Sequence, residues 1–290
     1  MSKDRNIIIT GATGLIGKEA IPFLIKEGFK IYALTTKNIK PDNVNWINCN
    51  IFDFDKLKEI FSNIKAEYLL NFAWITGGDY LTNEKNLLFL ESGKKMMELF
   101  RKYGGKRAIY AGSCLEYKQK STLLKENDPT HSPNLYVKCK NELRKYCMEY
   151  SKNNDISFCW GRIFYVFGHN ENPSRLTRII IDNLKSNKAT ELNCPNNKLD
   201  YMYSKDIAQA FVELLKSDYK GICNICTGKG ILLKDYALLI QEILNKKDLV
   251  KFDANKPSDI SIIGDNSILK NIIKFSPKYD TYSGLKEILS

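Results

Sequence analysis

A tyrosine followed four residues later by a lysine occurs three times in this 290-residue chain: Tyr136 with Lys140, Tyr201 with Lys205, and Tyr282 with Lys286. An unperturbed phenol titrates near ~10, too high to exchange protons easily at neutrality. An ammonium held beside it favours the phenolate, which turns an ordinary side chain into a usable acid and base. The chain has 16 tyrosines and 44 lysines and arginines, so the spacing is common and position must decide which pair matters.

A second pattern, ITGATGLIG, places Gly11, Gly14 and Gly17 after an apolar run and at the start of an amphipathic one. Glycines there allow a tight turn and let backbone approach a pyrophosphate, whose charge meets free N–H groups at the positive end of a helix. With Thr13, Leu15 and Ile16 on the same turn, the segment is expected to bind a dinucleotide. An acidic residue after the second strand would select NAD through the adenosine ribose. The chain has Thr35, Thr36 and Lys37 there, which suit a 2′-phosphate, so NADP(H) is favoured over NAD(H). The tip of the third strand, Asn50 and Ile51, is expected near the adenine.

These residues need a scaffold, and the first half of the chain supplies one. Strand-like segments at 6–10, 30–36, 44–50, 67–74, 107–113 and 156–163 alternate with helical ones at 15–28, 55–64, 84–103 and 135–152. The alternation predicts an α/β fold: a Rossmann-type, doubly wound parallel sheet with right-handed crossovers and helices on both faces. Past Tyr165 the rhythm changes. Helical segments at 175–187 and 205–217 flank a polar stretch, NCPNNKLDYMYS, read as irregular. A dinucleotide-binding domain over 1–164 and a smaller substrate-binding lobe over 165–290 are expected, with the strand near 221–228 packing back onto the first domain.

Composition bounds the partners. Hydrophobic residues make 43% of the chain and charged ones 27%, an ordinary globular balance. No apolar run reaches the ~18 to 20 residues of a membrane span, and the N-terminus lacks the apolar core of a secretory signal, so a cytoplasmic protein without a membrane role is expected. The net charge of +11 comes from scattered lysines without interleaved aromatics, which argues against nucleic acid. Cys223 and Cys226 have metal-ligand spacing, but no second pair completes a site. His131 and His169 lack ligand partners at suitable spacing, so no metal is expected.

Taken in order, TGATGLIG, LLNFAW, YAGSCLEY, Tyr136 with Lys140, GRIFYVFG, DYMYSKDIAQAF and GICNICTGKG resemble the extended short-chain dehydrogenase/reductase family, in the branch acting on nucleotide-activated sugars. The resemblance covers nearly the whole chain. It implies that Tyr136 and Lys140, on one face of the helix after the fifth strand, are the working pair, with Ser113 at that strand's end. Tyr201 with Lys205 straddles a loop and a helix start, and Tyr282 with Lys286 lies near the chain end. The implied roles are proton transfer by Tyr136, a hold on the nicotinamide ribose by Lys140, and a hydrogen bond from Ser113 to the reacting oxygen. Phe72, Ala73 and Trp74 at the fourth strand's end, and Ile163 with Phe164, would border the cofactor. The helices carrying 87–100 and 136–150 would form a homodimer seam.

Dehydratases of this family resemble one another in having Thr-Asp-Glu where this chain has Ser113, Cys114 and Leu115. Cys114 and Leu115 cannot supply the extra acid and base that elimination needs, and Glu116, one position later, should point away. The stretch NFAWITGGDY followed by KYGGKRAIYAGSCLEY resembles reductases of 4-keto-6-deoxy nucleotide sugars in bacterial surface-polysaccharide synthesis. The alternatives are a 4-epimerase or dehydrogenase with tightly bound NAD, and a cofactor-sensing protein without turnover. Trp74, Thr76 and Tyr80 are expected to run toward the sugar pocket, though Trp74 could equally be core. Arg175 suits a pyrophosphate. Arg162 is expected to brace the sheet edge. Leu199 stands where the family usually has an arginine, with Lys198 a possible substitute.

Overall fold

The computed structural model describes residues 5–39, 43–120, 122–169, 171–253 and 260–290. The chain first lays down β1 (Arg5–Thr10), α1 (Leu15–Lys26), β2 (Phe29–Thr35), β3 (Asn45–Asn48), α2 (Phe54–Ile64), β4 (Tyr68–Asn71), α3 (Lys85–Lys102), β5 (Arg107–Ser113), α4 (Leu135–Asn153) and β6 (Ser157–Ile163). Then come β7 (Tyr165–Phe167), α5 (Leu176–Lys185), β8 (Thr190–Leu192), β9 (Lys198–Leu199), β10 (Tyr201–Tyr203), α6 (Ser204–Lys216) and β11 (Gly221–Ile225). β12 (Ile231–Leu232), α7 (Leu233–Ile243), β13 (Val250–Phe252), β14 (Ser261–Ile262), α8 (Ser267–Asn271) and α9 (Thr281–Leu289) follow.

Seven strands form one parallel sheet in the order β11-β6-β5-β4-β1-β2-β3. A strand covered on both faces must be apolar on both, and β5 shows it: all of Arg107–Ser113 is buried. One core lies under α1 and α6, built on Ala20, Leu24, Phe211 and Leu214. The other lies under α2, α3 and α4, around Leu57, Met97 and Leu143. Strand order reverses between β1 and β4, which opens a crevice at the carboxyl ends of the strands. This is the Rossmann-type doubly wound sheet, with a third core around Ile180, Tyr236, Ile240 and Leu285 in the smaller C-terminal lobe.

Two expectations change. The fourth strand stops at Asn71 rather than 74, because its neighbour β1 ends at Thr10 and the chain then crosses Gly11. The polar stretch after 192 is not irregular: β9 pairs with β12 and β14, and β10 pairs with β7. Strands of two or three residues carry no readable periodicity. Cys223 lies in β11 and Cys226 just past it; both are buried and neither is bonded. Among the described residues no group of three or more metal-ligating side chains occurs, and no helix is long and apolar enough to cross a membrane.

Candidate active site

Every strand of the main sheet points the same way, so all the turns singled out in the sequence meet at one edge. The turn after β1 is tightly built. Gly11 has φ +68°, and a Cβ there would lie 2.8 Å from the Ala73 nitrogen. Gly17 packs so closely on this turn that a Cβ would meet the Gly11 carbonyl at 2.2 Å. Gly14 caps α1 with no side-chain hydrogen bond, which leaves the first-turn N–H groups for an anion. The Thr10 hydroxyl donates to Asn71 Oδ1 (2.5 Å) and accepts from the Ala73 amide (3.3 Å), tying the ends of β1 and β4 together. Phe72 packs edge-on to Phe211 at 4.9 Å. These features fit a dinucleotide lying across the switch point.

The other positions expected to meet the cofactor lie just past the ends of β2 and β3. The Thr35 hydroxyl accepts from the Lys37 amide at 3.0 Å, which fixes the turn that carries exposed Thr36 and Lys37. After β3, Asn50 Oδ1 accepts from the Phe52 amide at 3.1 Å and the Ile51 carbonyl from Ser92 at 2.7 Å. Asn50 thus spends one side-chain atom on its own turn.

Ser113, Tyr136 and Lys140 converge. α4 begins at Asn134, whose side chain caps the Val137 amide at 3.0 Å, so Tyr136 and Lys140 lie one turn apart on a regular helix. Both are buried, at 7% and 4% exposure, with Ser113 at 8%. Ser113 stands near the Tyr136 phenol, and the phenol is caged edge-on by Tyr80 (5.1 Å) and Trp74 (6.2 Å). Lys140 Nζ donates to the Ala111 carbonyl (2.8 Å) and sits 3.8 Å from the centre of the Trp74 ring, a cation–π contact. The sequence suggests an ammonium pulling the phenol down; in the structure burial dominates both groups. It pushes the Tyr136 phenol up, against the effect of nearby Ser113, and it drives Lys140 down to about 7 against the pull of Glu116.

That depressed ammonium has a consequence for stability. The folded form binds fewer protons than the unfolded chain between pH 7 and 10.5, so stability rises with pH through that window, and the full penalty applies below it. Lys140→Met is therefore expected to be more stable than the parent at pH 6 to 7. After the lost cation–π and hydrogen-bond contacts are set against the relieved burial, the gain is about 2 kcal/mol. It should shrink toward pH 10. Thermal melts across this range check it, and a gain that does not vary with pH would contradict the buried-charge account.

The other pocket residues separate into two groups. Thr76, Tyr80, Arg175, Ser113 and Tyr136 line one cavity of about 210 Å³ between the sheet edge and the second lobe. Trp74 does not line it. Its indole N–H donates to buried Asn86 (2.7 Å) and its ring stacks on Phe89, so it is a wall behind Lys140. Leu199 lies on the cavity and exposed Lys198 does not. Ile163 ends β6, and Phe164 lines the cavity beside it. The roof is clasped from both lobes: the Gly78 amide donates to Ser174 at 3.4 Å, and Gly77 packs on the side chain of Asn172.

Four buried or partly buried polar side chains around the site went unassigned in the sequence. Glu116, fully buried, accepts from the Ser113 amide (2.8 Å), the Trp160 indole (2.9 Å) and Arg162 Nε (2.9 Å), with Arg144 Nε at 3.3 Å. It does turn away from the pocket, but it holds Ser113's turn from behind. The Ser-x-x-Glu spacing of a capping box signals this contact in the sequence. Arg144 continues the Tyr136, Lys140 stripe by one more turn. Asn86 stands in the first turn of α3, where a polar residue is ordinary, and Glu171 sits in a stretch without pattern. Arg162, 1% exposed, braces Glu116 and the Glu126 carbonyl.

A serine, tyrosine and lysine gathered beside a glycine-rich turn on this sheet define an extended short-chain dehydrogenase/reductase, in the branch of nucleotide-sugar enzymes. The model of the NAD dependent epimerase/dehydratase family matches residues 7–226, and the chain belongs to that family. It is similar to a CDP-abequose synthase of Salmonella muenchen, at 22% identity covering 99% of this chain and 98% of the relative. A dTDP-6-deoxy-L-talose 4-dehydrogenase (NAD(+)) of Aggregatibacter actinomycetemcomitans is 29% identical, covering 84% of this chain and 91% of its own. In fold the chain resembles the UDP-glucose 4-epimerase of Thermotoga maritima, with TM-score 0.89 at 20% identity over 98% of both chains.

Proposed function

We infer that the protein is an oxidoreductase that reduces the 4-keto group of a nucleotide-activated 6-deoxy sugar. Hydride passes from the nicotinamide C4 to the sugar carbonyl carbon, and Tyr136 gives the proton to the carbonyl oxygen. The observation that carries this reading is that Ser113 and Tyr136, with Lys140 one helical turn further on and buried, stand at a cavity whose wall has Cys114 and Leu115 where elimination would need an acid and a base. Burial pushes the Cys114 thiol far up, so it has no acid–base use near neutrality. The raised Tyr136 phenol keeps its proton at neutral pH, as a donor must. The 4-dehydrogenase among the relatives acts on a 6-deoxy sugar at the same carbon, and its chemistry run backward is a 4-keto reduction.

Gly11, Thr13, Gly14, Leu15, Ile16 and Gly17 would hold the pyrophosphate of the cofactor, and Thr36 with Lys37 the 2′-phosphate of NADP(H). Arg175 would meet the substrate's pyrophosphate. Leu87 and Leu88, each about half exposed on α3, suit a homodimer seam formed with α4. A 4-epimerase is the second reading, favoured by the epimerases among the relatives.

Purified protein mixed with NADPH, then NADH, and a panel of 4-keto nucleotide sugars is expected to consume reduced cofactor stoichiometrically with sugar, faster with NADPH. Fading absorbance of the reduced nicotinamide is the readout. No consumption with any keto sugar, together with NAD that co-purifies and interconversion of 4-epimers, would replace the reductase with the epimerase.

A further inference from the structure

Among the described residues, Glu171 is the one carboxylate on the wall of the cavity that holds Ser113 and Tyr136. It is 6% exposed, and its Oε2 is buried with no hydrogen-bond partner among the described residues. A buried carboxylate with an unused oxygen is costly and is expected to be paired unless something else supplies the donor. Its surroundings hold it in place without satisfying it. The Thr177 hydroxyl, near enough to hold the carboxyl's upward shift in check, is itself anchored on Tyr236 OH at 2.9 Å, and Tyr236 stacks on Tyr201 at 4.1 Å. The guanidinium of Arg175, on the same cavity wall, lies 5.6 Å from the Tyr80 ring, with Tyr80 in turn packed on Tyr136.

We propose that Glu171 is the acceptor for a hydroxyl group of the sugar, and so a specificity-determining residue that sets which sugar ring can lie beside Tyr136. This rests on the nucleotide-sugar reading above and deepens it. Arg175 and Glu171 divide the ligand between them: the guanidinium suits phosphate oxygens, and the carboxylate suits the neutral donors of the ring. A hydroxyl fits better than an ammonium because Arg175 and Arg178 already provide positive charge to this carboxyl, and a third cation would be repelled by them. Burial carries the Glu171 carboxyl up to about 7, which marks a group short of donors for its charged form.

Calorimetric titration of the full chain with UDP-, dTDP-, CDP- and GDP-glucose, each beside its nucleoside diphosphate alone, tests the assignment. For the diphosphoglucose that binds tightest to the parent, Glu171→Ala should weaken binding about 10- to 100-fold, as for a lost hydrogen bond to a charged group, while the bare diphosphate changes less than about 3-fold. Glu171→Gln keeps an acceptor and should recover part of the loss. A merely structural role predicts equal losses for sugar and bare diphosphate, and that result overturns the proposal while leaving the nucleotide-sugar reading intact. UDP-glucosamine should bind the parent no tighter than UDP-glucose; an amine preference that vanishes in Glu171→Ala would overturn the hydroxyl assignment. If the parent binds none of the nucleotide sugars but binds NADPH, both readings fall together.

Discussion

Replacing Tyr136 by phenylalanine is expected to lower turnover about 10²- to 10⁴-fold while leaving cofactor affinity and the fold unchanged, because only a proton donor is removed. The geometry makes this a clean test. The ring is held edge-on by Tyr80 and Trp74, and phenylalanine fills the same cage. What disappears is the hydroxyl beside Ser113. The loss of a buried phenol should not destabilise the chain by more than about 1 kcal/mol, since the nearby serine hydroxyl still accepts from the Leu115 amide. The measurement is NADPH oxidation with a 4-keto sugar, alongside cofactor binding followed by fluorescence. Undiminished turnover would remove Tyr136 from the mechanism and would transfer the donor role elsewhere in the cavity.

The largest effect on stability is expected at Glu116. This single carboxylate stands against two guanidiniums, Arg162 at 1% and Arg144 at 13% side-chain exposure, and also receives the Trp160 indole and the Ser113 amide. Glu116→Ala would leave two buried cations facing each other with no anion between them. Breaking a buried pair from one side costs about 3–5 kcal/mol. At roughly 2–4 °C per kcal/mol for a chain of this size, the melting temperature should fall about 6–20 °C. The intact cluster is not thereby a large net source of stability, because burying three charges has its own desolvation cost. Replacing Arg162 with methionine in the same chain should restore part of the loss. A melting point within 2 °C of the parent would show that water or a backbone shift compensates. Turnover should drop as well, since Glu116 fixes the amide of Ser113.

The sheet was readable from the sequence because its central strands are several residues long and largely buried. NIIIT, KIYALTT and RAIYAGS are apolar runs too short for a typical helix and rich in β-branched and aromatic residues. Position along that sheet then separated Tyr136 and Lys140 from the two other pairs. Tyr201 ends up in β10 and Lys205 in α6, on different elements. Tyr282 and Lys286 do share the helix α9, but at the far end of the chain. The second lobe resisted because its strands, such as Lys198–Leu199, are too short to alternate. Glu171 resisted for a different reason. HNENPS has no periodicity, so nothing local separates a carboxylate folded into a cavity from one left in water. How deeply Lys140 lies was not legible either, because depth of burial is a property of the packed fold and not of the helix face.

The burial of the thiols bears on how the fold opens. Seven of the eight cysteines are buried and only Cys194 is partly accessible, all of them as free thiols. Burial raises the thiol at Cys49 to about 11 and lifts those at Cys114, Cys139, Cys147, Cys159, Cys223 and Cys226. A thiol-directed reagent at neutral pH therefore meets one ready site on the folded chain, and the other seven only when some part of it comes apart. Cys49 reports the β3 end of the sheet, Cys147 the middle of α4, and Cys226 the junction with the second lobe. The order in which these positions are modified is a map, drawn by the chain's own sulfur atoms, of which regions loosen first.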